Sequence, residues 1–150
     1  MSGYLLDTNI VSMLSPSATQ ASQALKTFLD WLDRTDAAGQ IFLSVVTIHE
    51  IEKGIALLEH MGAVSKAAAL KMWLMGLVST YEDKILVIDA VAARFGGQLE
   101  AKAAGRGLNP SMADAAIAGI AKANDLIIVT ANTKNFIPFG VGFVSPDDVA

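Results

Sequence analysis

The chain has 150 residues, a formal net charge of −4, and 53% apolar against 17% charged residues. This balance excludes intrinsic disorder, and the length fits one domain with a substantial core, which we assign to residues 1–150. The lack of cysteine excludes disulfides, thiolate metal ligands and a thiol nucleophile, and the acidic charge excludes a protein that grips nucleic acid by net charge alone.

The sequence gives no sign of membrane contact. No stretch of about 18 uncharged apolar residues is present, so we expect no membrane span. A chain without cysteine is compatible with a reducing compartment, and we expect a cytoplasmic protein.

Short apolar runs alternate along the chain with longer segments whose apolar residues recur with a period of 3.6. This pattern is typical of βαβ units, and nearly continuous apolar strands indicate a sheet covered on both faces. We therefore predict an α/β/α sandwich with a parallel sheet of four or five strands. In chain order, the predicted elements are strand Tyr4–Leu6, helix Ala21–Thr35, strand Ile41–Leu43, helices Ile48–Met61 and Val64–Tyr81, strand Ile85–Ile88, helices Ala90–Ala104 and Ser111–Ala123, strand Leu126–Val129 and a weaker strand Gly142–Val144.

Three carboxylates fall beside the ends of predicted strands. Asp7 ends the first strand, Glu50 lies in the first turn of the helix after the second strand, and Asp114 lies in the helix before Leu126–Val129. In open parallel sheets, ligands bind beyond the carboxyl ends of the strands, where the strand order reverses. We therefore expect the three acids to meet in one crevice, together with the polar segment at residues 130–136.

Each acid also fits a simpler role at the start of a helix. Asp7 can cap a short helix, and Thr47 with Glu50 and Ser111 with Asp114 match the capping-box pattern. The combination nevertheless favours a ligand site, because Asp114 has small or apolar neighbours. A carboxylate in such surroundings is unfavourable unless it is paired, capped or bound to a metal.

Asp89 also follows an apolar run, and we interpret it as an N-cap without a role in the site.

Three segments, read in order, carry a family resemblance. The stretches LLDTNIVSML, LSVVTIHEIEKGI and NPSMADAAIAGIAKANDLIIVTANTKNF resemble the successive motifs of PIN-domain ribonucleases. The group they resemble most is that of the VapC-type and FitB-type toxins of bacterial toxin–antitoxin pairs. The resemblance runs from Tyr4 to about Pro146, so it covers nearly the whole chain.

The resemblance implies that Asp7, Glu50 and Asp114 are the catalytic acids and bind Mg²⁺, or alternatively Mn²⁺, both of which prefer oxygen ligands. Some family members have a fourth acid in the last motif, where this chain has Asn132, so one firmly held ion is favoured over two. The residues that match the supporting polar positions of the family are Thr8, Asn9, Thr130 and Asn132.

The implied activity is hydrolysis of RNA phosphodiester bonds by a metal-activated water. Lys53, one helical turn beyond Glu50, is the preferred contact to the RNA backbone, with Lys134 and Arg106 as further candidates, although each also fits an ordinary surface charge. His49 adjoins Glu50 but points about 100° away on a helix. We therefore assign His49 a surface or packing role rather than that of a general base.

The segment Val64–Tyr81 carries more apolar residues than one buried stripe needs, among them Met72, Trp73 and Met75. A large apolar surplus on a small domain predicts a partner surface. Together with the family resemblance, it implies a homodimer and a cognate antitoxin, docked as a helix or an extended peptide.

Other functions match less well. A haloacid-dehalogenase-like phosphatase needs a second Asp where this chain has Asn9, and a receiver domain needs a further acid before Asp7, where none is present. The alternative that remains is a PIN-like module that binds RNA or protein without catalysis. The missing fourth acid is the feature that supports it.

Overall fold

A five-stranded parallel sheet forms the centre of the protein, in a computed structural model that describes residues 3–16 and 23–149. The strands lie in the order β3-β2-β1-β4-β5. They are β1 (Tyr4–Leu6), β2 (Ile41–Ser44), β3 (Ile85–Leu86), β4 (Ile127–Val129) and β5 (Phe143–Val144). The order reverses direction at β1, which pairs with β2 on one side and with β4 on the other, so a crevice forms beyond their carboxyl ends.

Helices cover both faces of this sheet, which confirms the predicted α/β/α sandwich. They are α1 (Thr8–Ser12), α2 (Gln23–Ala37), α3 (Val45–His60), α4 (Val64–Tyr81), α5 (Ala90–Gly105), α6 (Met112–Ala123) and α7 (Pro146–Val149). Three single turns of 3₁₀-helix cover Glu82–Lys84, Thr133–Asn135 and Ile137–Phe139. Among the helices of the described ranges, none is both long enough and apolar enough to cross a lipid bilayer.

The alternation of side chains along the central strands divides the core into two layers. Leu5 and Ile128 pack with α5 and α6 on one face, whereas Leu6 and Val129 pack with α1 and α2 on the other. All four side chains are completely buried. Successive residues of a strand point to opposite faces, so apolar runs without alternation are what a doubly covered sheet requires.

The structure corrects the predicted start of α3. The helix begins at Val45, because the hydroxyl of Ser44 accepts a hydrogen bond from the backbone N–H of Thr47 at 3.2 Å and caps it. The capping box of Thr47 and Glu50 is therefore wrong, and Glu50 lies in the second turn rather than the first. The β-branched Val45 and Val46 directly after an apolar strand hid this boundary, since such residues favour strands.

Two further boundaries differ from the prediction. Strand β3 ends at Leu86, and Val87 and Ile88 are exposed instead of continuing the strand. Asp89 then caps α5 as predicted, with its carboxylate accepting a hydrogen bond from the N–H of Ala92 at 2.9 Å. The predicted start of α2, at Ala21, lies outside the described residues.

Helix α4 is only partly covered by the rest of the chain. Trp73, which the sequence predicts as part of the apolar surplus, packs against the core and is half-buried, as is Tyr81. Met72 and Met75 have 76% and 67% of their surface exposed, and Val64 and Val78 are exposed as well. The apolar surplus is thus found on these four outward residues, and the helix is not buried within the protein.

Helices α5 and α6 approach closely because glycine replaces a side chain at their contact. A Cβ atom on Gly119 would overlap the carbonyl oxygen of Ala92 and lie 2.7 Å from the backbone nitrogen of Gly96. Both obstacles are backbone atoms, which cannot rotate away. The distance between these two helices therefore depends on Gly119.

We expect Gly119→Ala to lower the free energy of unfolding by about 1–3 kcal/mol, the usual effect of overpacking a close-packed core. Gly97→Ala is the matched control, because an added Cβ on Gly97 of α5 meets no atom within 4 Å. That control should raise stability by up to about 1 kcal/mol through helix propensity. Urea unfolding followed by circular dichroism measures both, and equal effects of the two substitutions would contradict the proposed close contact.

Candidate metal centre and catalytic site

Asp7 lies at the carboxyl end of β1, where it caps a helix and also accepts hydrogen bonds from side chains near it. Its backbone is extended, and one carboxylate oxygen accepts a hydrogen bond from the N–H of Thr8 at 2.9 Å, so Asp7 caps α1. Its other oxygen accepts hydrogen bonds from the Thr130 hydroxyl at 2.8 Å and the Asn9 side-chain amide at 3.0 Å. With 4% of its surface exposed, this carboxylate is held from three directions.

Thr130 follows β4 and ties the two central strand ends together. Its hydroxyl donates to Asp7 and accepts a hydrogen bond from the backbone N–H of Asn132 at 3.0 Å. Asn9 spans the same gap, since its side-chain oxygen accepts from the N–H of Ala131 at 3.1 Å. The structure thus brings Thr130 and Asn9 to Asp7 as predicted, whereas the contact of Asn132 to this group is made by its backbone.

Glu50 reaches the same edge from α3. Its carboxylate accepts a hydrogen bond from the Thr8 hydroxyl at 2.6 Å, and that hydroxyl lies 3.0 Å from the hydroxyl of Thr47. Thr8 therefore connects β1 and α1 to α3. Sequence reasoning assigned Thr47 to helix capping and missed this contact. A buried threonine directly before the apolar stripe of α3 is the signal that could have indicated it.

Asp114 enters from the opposite side, in the first turn of α6. Ser111 caps this helix, with its hydroxyl accepting a hydrogen bond from the Asp114 N–H at 3.0 Å, as predicted. The Asp114 side chain is half-buried and lies at the mouth of a cleft of about 390 Å³ that also contains Lys134. The hydrogen bond that caps the helix is donated by the backbone N–H of Asp114.

The three acids influence one another electrostatically. Burial raises the pKa of Asp7 above its ordinary value, and the charges of Asp114 and Glu50 add to the rise, against the hydrogen bonds from Thr130 and Thr8. Burial also raises the pKa of Asp114, with a further contribution from Glu50 and an opposing one from Ser111. The charges of Asp114 and Glu50 therefore make ionisation of Asp7 less favourable, and the charge of Glu50 does the same for Asp114.

The chemistry of these side chains fits a hard divalent cation. Carboxylate and hydroxyl oxygens are the ligands that Mg²⁺ and Mn²⁺ prefer, and burial, together with the charges of neighbouring acids, disfavours ionisation of Asp7 and Asp114. Among the residues that the structure describes, no cationic side chain pairs with any of the three acids. Within the same residues, no three His, Cys, Asp or Glu side chains form a group that could hold a metal ion. The residue types therefore fit the cation, whereas their arrangement in this structure does not form a metal-binding group.

The predicted basic residues divide into two groups. Lys53 shares a groove of about 400 Å³ with Glu50, and Lys134 shares the cleft of Asp114. Arg106 is the C-cap residue of α5 and is exposed, and no contact joins it to the acids in the described part of the chain. His49 lines the groove of Lys53 and is exposed, which agrees with a surface position.

Asp114→Asn should separate a ligand role from a capping role. Without metal, we expect the variant to be as stable as the wild type or more stable, because it removes one of the mutually repelling carboxylates. Mn²⁺ should stabilise the wild type by about 2.7 kcal/mol at one hundred times its dissociation constant and stabilise Asp114→Asn less. Thermal melts in EDTA and in Mn²⁺ measure this.

Asp89→Asn is the control for this experiment, since Asp89 also caps a helix and is not among the groups that shift the pKa of Asp7 or Asp114. Its response to Mn²⁺ should equal that of the wild type. Equal stabilisation of the wild type and Asp114→Asn by Mn²⁺ would show that Asp114 is not a metal ligand. Asp7→Asn is a poorer probe, because an amide cannot accept all three hydrogen bonds that hold the carboxylate.

The raised pKa of Asp114 also predicts a pH dependence in EDTA. The unfolded chain ionises Asp114 near its ordinary value of 3.8, whereas the folded chain holds this proton to higher pH. Ionisation therefore reduces the stability of the wild type relative to Asp114→Asn as pH rises from about 3.8 through the folded pKa. Urea unfolding of both proteins across this range should show the difference appear and then level off, and a constant difference at all pH values would contradict it.

Comparisons with known proteins identify the family of this chain. The model of the PIN domain matches residues 4–137 of the chain. Among solved structures, FitAcB from Neisseria gonorrhoeae is 28% identical with a TM-score of 0.77, over 95% of this chain and 97% of that chain. DNA-bound VapBC from Salmonella typhimurium is 22% identical with a TM-score of 0.68, over 97% of this chain and 99% of that chain.

VapBC2 from Rickettsia felis, bound to a DNA fragment from its promoter, is 20% identical with a TM-score of 0.66, over 97% of this chain and 98% of that chain. A search of the curated proteins finds no match to this sequence. The family match spans most of the chain, including all three acids, and confirms the predicted resemblance. The chain belongs to the PIN-domain family.

Proposed function

We propose that this protein, as one PIN domain over residues 1–150, is a metal-dependent endoribonuclease and the toxin of a toxin–antitoxin pair, acting in the cytoplasm. Membership of the PIN-domain family supports a nuclease. The structural likeness to FitAcB, at 28% identity over nearly the full length of both chains, supports the toxin–antitoxin assignment.

The observation that carries the proposal is the hydrogen-bonded group at the carboxyl edge of the sheet. Thr130 and Asn9 hold the Asp7 carboxylate, and Thr8 holds Glu50, so side chains from α1, α3 and the ends of β1 and β4 meet there. Their side chains are fixed by contacts between residues far apart in sequence. Such preorganisation is unnecessary for helix capping, which one local hydrogen bond satisfies.

In the proposed mechanism, Asp7, Glu50 and Asp114 would hold a Mg²⁺ or Mn²⁺ ion, which would supply a water of lowered pKa and offset charge on the phosphate. Thr8 keeps one oxygen of Glu50 oriented, while Thr130 and Asn9 fix one oxygen of Asp7. These hydrogen bonds restrict the rotation of the Asp7 and Glu50 carboxylates. The chain offers no cysteine, so a thiol nucleophile plays no part.

Lys53 and Lys134 would bind backbone phosphates on either side of the acids. Lys53 lies in the groove beside Glu50, and Lys134 lies in the cleft beside Asp114. Local positive charge is needed because the chain carries a net charge of −4. Arg106 lies apart from these clefts and is a weaker candidate for an RNA contact.

The exposed apolar side chains of α4 support protein partners. The exposed large apolar residues of this helix are Val64, Met72, Met75 and Val78. We propose that a second copy of the chain and a cognate antitoxin cover apolar surface of this protein. The likeness to FitAcB supports an antitoxin partner, and the exposed side chains support association in general.

A PIN-like module that binds RNA or protein without catalysis is the alternative. Two observations favour it. Asn132 stands in place of a fourth acid, and the described residues contain no group of His, Cys, Asp or Glu side chains that could hold a metal ion. The two functions differ in one measurable property, which is turnover of RNA in the presence of a divalent cation.

We expect purified protein to cleave RNA in Mg²⁺ or Mn²⁺ and to lose this activity in EDTA. Asp114→Asn should reduce the rate by at least about a hundredfold, which corresponds to roughly 2.7 kcal/mol of transition-state stabilisation. We expect this loss because the substitution removes one proposed ligand of the metal, while the protein stays folded. Gel analysis of labelled RNA fragments measures the rate.

Asp89→Asn provides the matched control, because it changes an acid at a helix start outside the site. Its rate should stay within about twofold of the wild type, an interval that corresponds to about 0.4 kcal/mol. RNA binding without metal-dependent cleavage by the wild type would favour the non-catalytic module. Cleavage by Asp114→Asn at the wild-type rate would remove Asp114 from the site.

A further inference from the structure

Two grooves flank Glu50 on opposite sides of α3. The first, here called the α4 groove, has a volume of about 350 Å³ and lies between α1, α3 and α4. It contains Glu50, Gly54, Ile55, Lys66, Leu70 and Trp73. The second, here called the α6 groove, has a volume of about 400 Å³ and contains His49, Glu50, Lys53, Gly54, Leu57 and Ala113.

Glu50 and Gly54 belong to both grooves. They lie one helical turn apart on the same face of α3, so the two grooves meet over them. Gly54 has no side chain, and a Cβ atom placed on it would meet nothing within 4 Å. No side chain therefore projects from α3 at Gly54, between the two grooves.

Neither packing nor backbone conformation explains glycine at this position. Its φ is not in the left-handed region, whereas Gly39, Gly62, Gly107 and Gly140 have positive φ. Glycine inside a helix is about 1 kcal/mol less favourable than alanine. Gly76 and Gly97 are equally open helical glycines. What distinguishes Gly54 is its place between two grooves and next to Glu50.

Each groove has one lysine and an apolar wall. Lys66 lies in the α4 groove with Trp73 and Leu70, and Lys53 lies in the α6 groove with Leu57. Neither lysine forms an ion pair with a described residue of the chain. Each groove thus offers a lysine and apolar surface, and Glu50 lies where the grooves meet. A lysine that can bind a phosphate and an apolar wall that can contact a base match single-stranded nucleic acid, which has an anionic backbone and flat bases.

We propose that Gly54 is the crossing point of a track for single-stranded RNA that runs from the α4 groove over Glu50 to the α6 groove. Lys66 binds a backbone phosphate on one side and Lys53 binds one on the other. The groove volumes lie at the lower end of the range for small-molecule sites, which is about 300–1,000 Å³. This track rests on the proposed ribonuclease function and assigns Lys66, Trp73 and Gly54 to the substrate path.

Gly54→Leu tests whether RNA passes over this position, because a leucine side chain would project between the two grooves and block the path. The probe is a short, fluorescein-labelled single-stranded RNA of mixed sequence, titrated by anisotropy in EDTA and low salt so that no cleavage occurs. We expect the dissociation constant to rise about tenfold, equivalent to about 1.4 kcal/mol. Gly76→Leu, an equally open helical position on α4 outside both grooves, should stay within about twofold of the wild type.

Thermal melts separate a blocked track from a damaged fold. Both leucine variants should melt at or above the wild-type temperature, because leucine is a better helix former than glycine and neither position is crowded. If Gly54→Leu were less stable than Gly76→Leu, Gly54→Ala would serve in its place. We expect a smaller rise of the RNA dissociation constant for that variant.

Lys66→Ala tests the phosphate contact independently of Gly54. One lost phosphate contact to a single strand should reduce the slope of log K against log salt by about 0.7. Lys71→Ala is the matched control, since Lys71 lies on the same helix and is paired with Glu59 at 3.3 Å. Its slope should remain that of the wild type.

The outcomes distinguish the track from the proposed function. Wild-type RNA affinity in Gly54→Leu together with a wild-type salt slope in Lys66→Ala would overturn the track. So would a Gly54→Leu variant that binds RNA normally but loses its antitoxin, because the grooves would then hold a peptide. If the wild type binds RNA with the expected dependence on Gly54 and Lys66 but does not cleave it in Mn²⁺, the track stands and the nuclease proposal fails.

Discussion

The hydrogen bond from the Thr130 hydroxyl to the Asp7 carboxylate joins the carboxyl ends of β1 and β4 at the point where the strand order reverses. Both residues are buried, so the carboxylate is far from bulk water and depends on protein donors for its stability. The same carboxylate caps α1 through Thr8 and orients Asn9. Strand pairing, helix start and site geometry therefore depend on one side chain.

Burial of this carboxylate opposes the charge it carries. The pKa values of Asp7 and Asp114 are raised because burial and neighbouring acids disfavour their ionised forms. A protein selected for stability alone would have no reason to bring these acids together. Such a conflict between local electrostatics and stability is characteristic of functional sites, where a bound ligand removes it.

The acids and the lysines near them differ in their surroundings. Asp7 and Thr130 are buried in the core layers, whereas Lys53, Lys66 and Lys134 line grooves that lead away from the acids. On a chain with net negative charge, these three lysines place positive charge in the grooves beside Glu50 and Asp114. In the proposed function, the grooves would bind the RNA and the acids would take part in its cleavage.

The sequence by itself determined the elements whose signals are local. Apolar runs and a period of 3.6 placed the strands and most helices, and the residue types around Asp7, Glu50 and Asp114 indicated an acidic site at the carboxyl edge of a parallel sheet. Asp89 and Ser111 were identified as caps for the same reason, since a cap bonds to an amide within three residues. Family resemblance added the expected use of the site.

Tertiary structure alone decided how these parts meet. The Thr8–Glu50 hydrogen bond joins residues 42 positions apart, and the Asp7–Thr130 bond joins residues 123 positions apart. No local pattern encodes such pairs, because they depend on strand order and on the cap at Ser44 that sets the phase of α3. The position of Gly54 between two grooves has the same origin. The sequence shows that a side chain is missing there, but only the packing of α1, α4 and α6 around α3 forms the grooves.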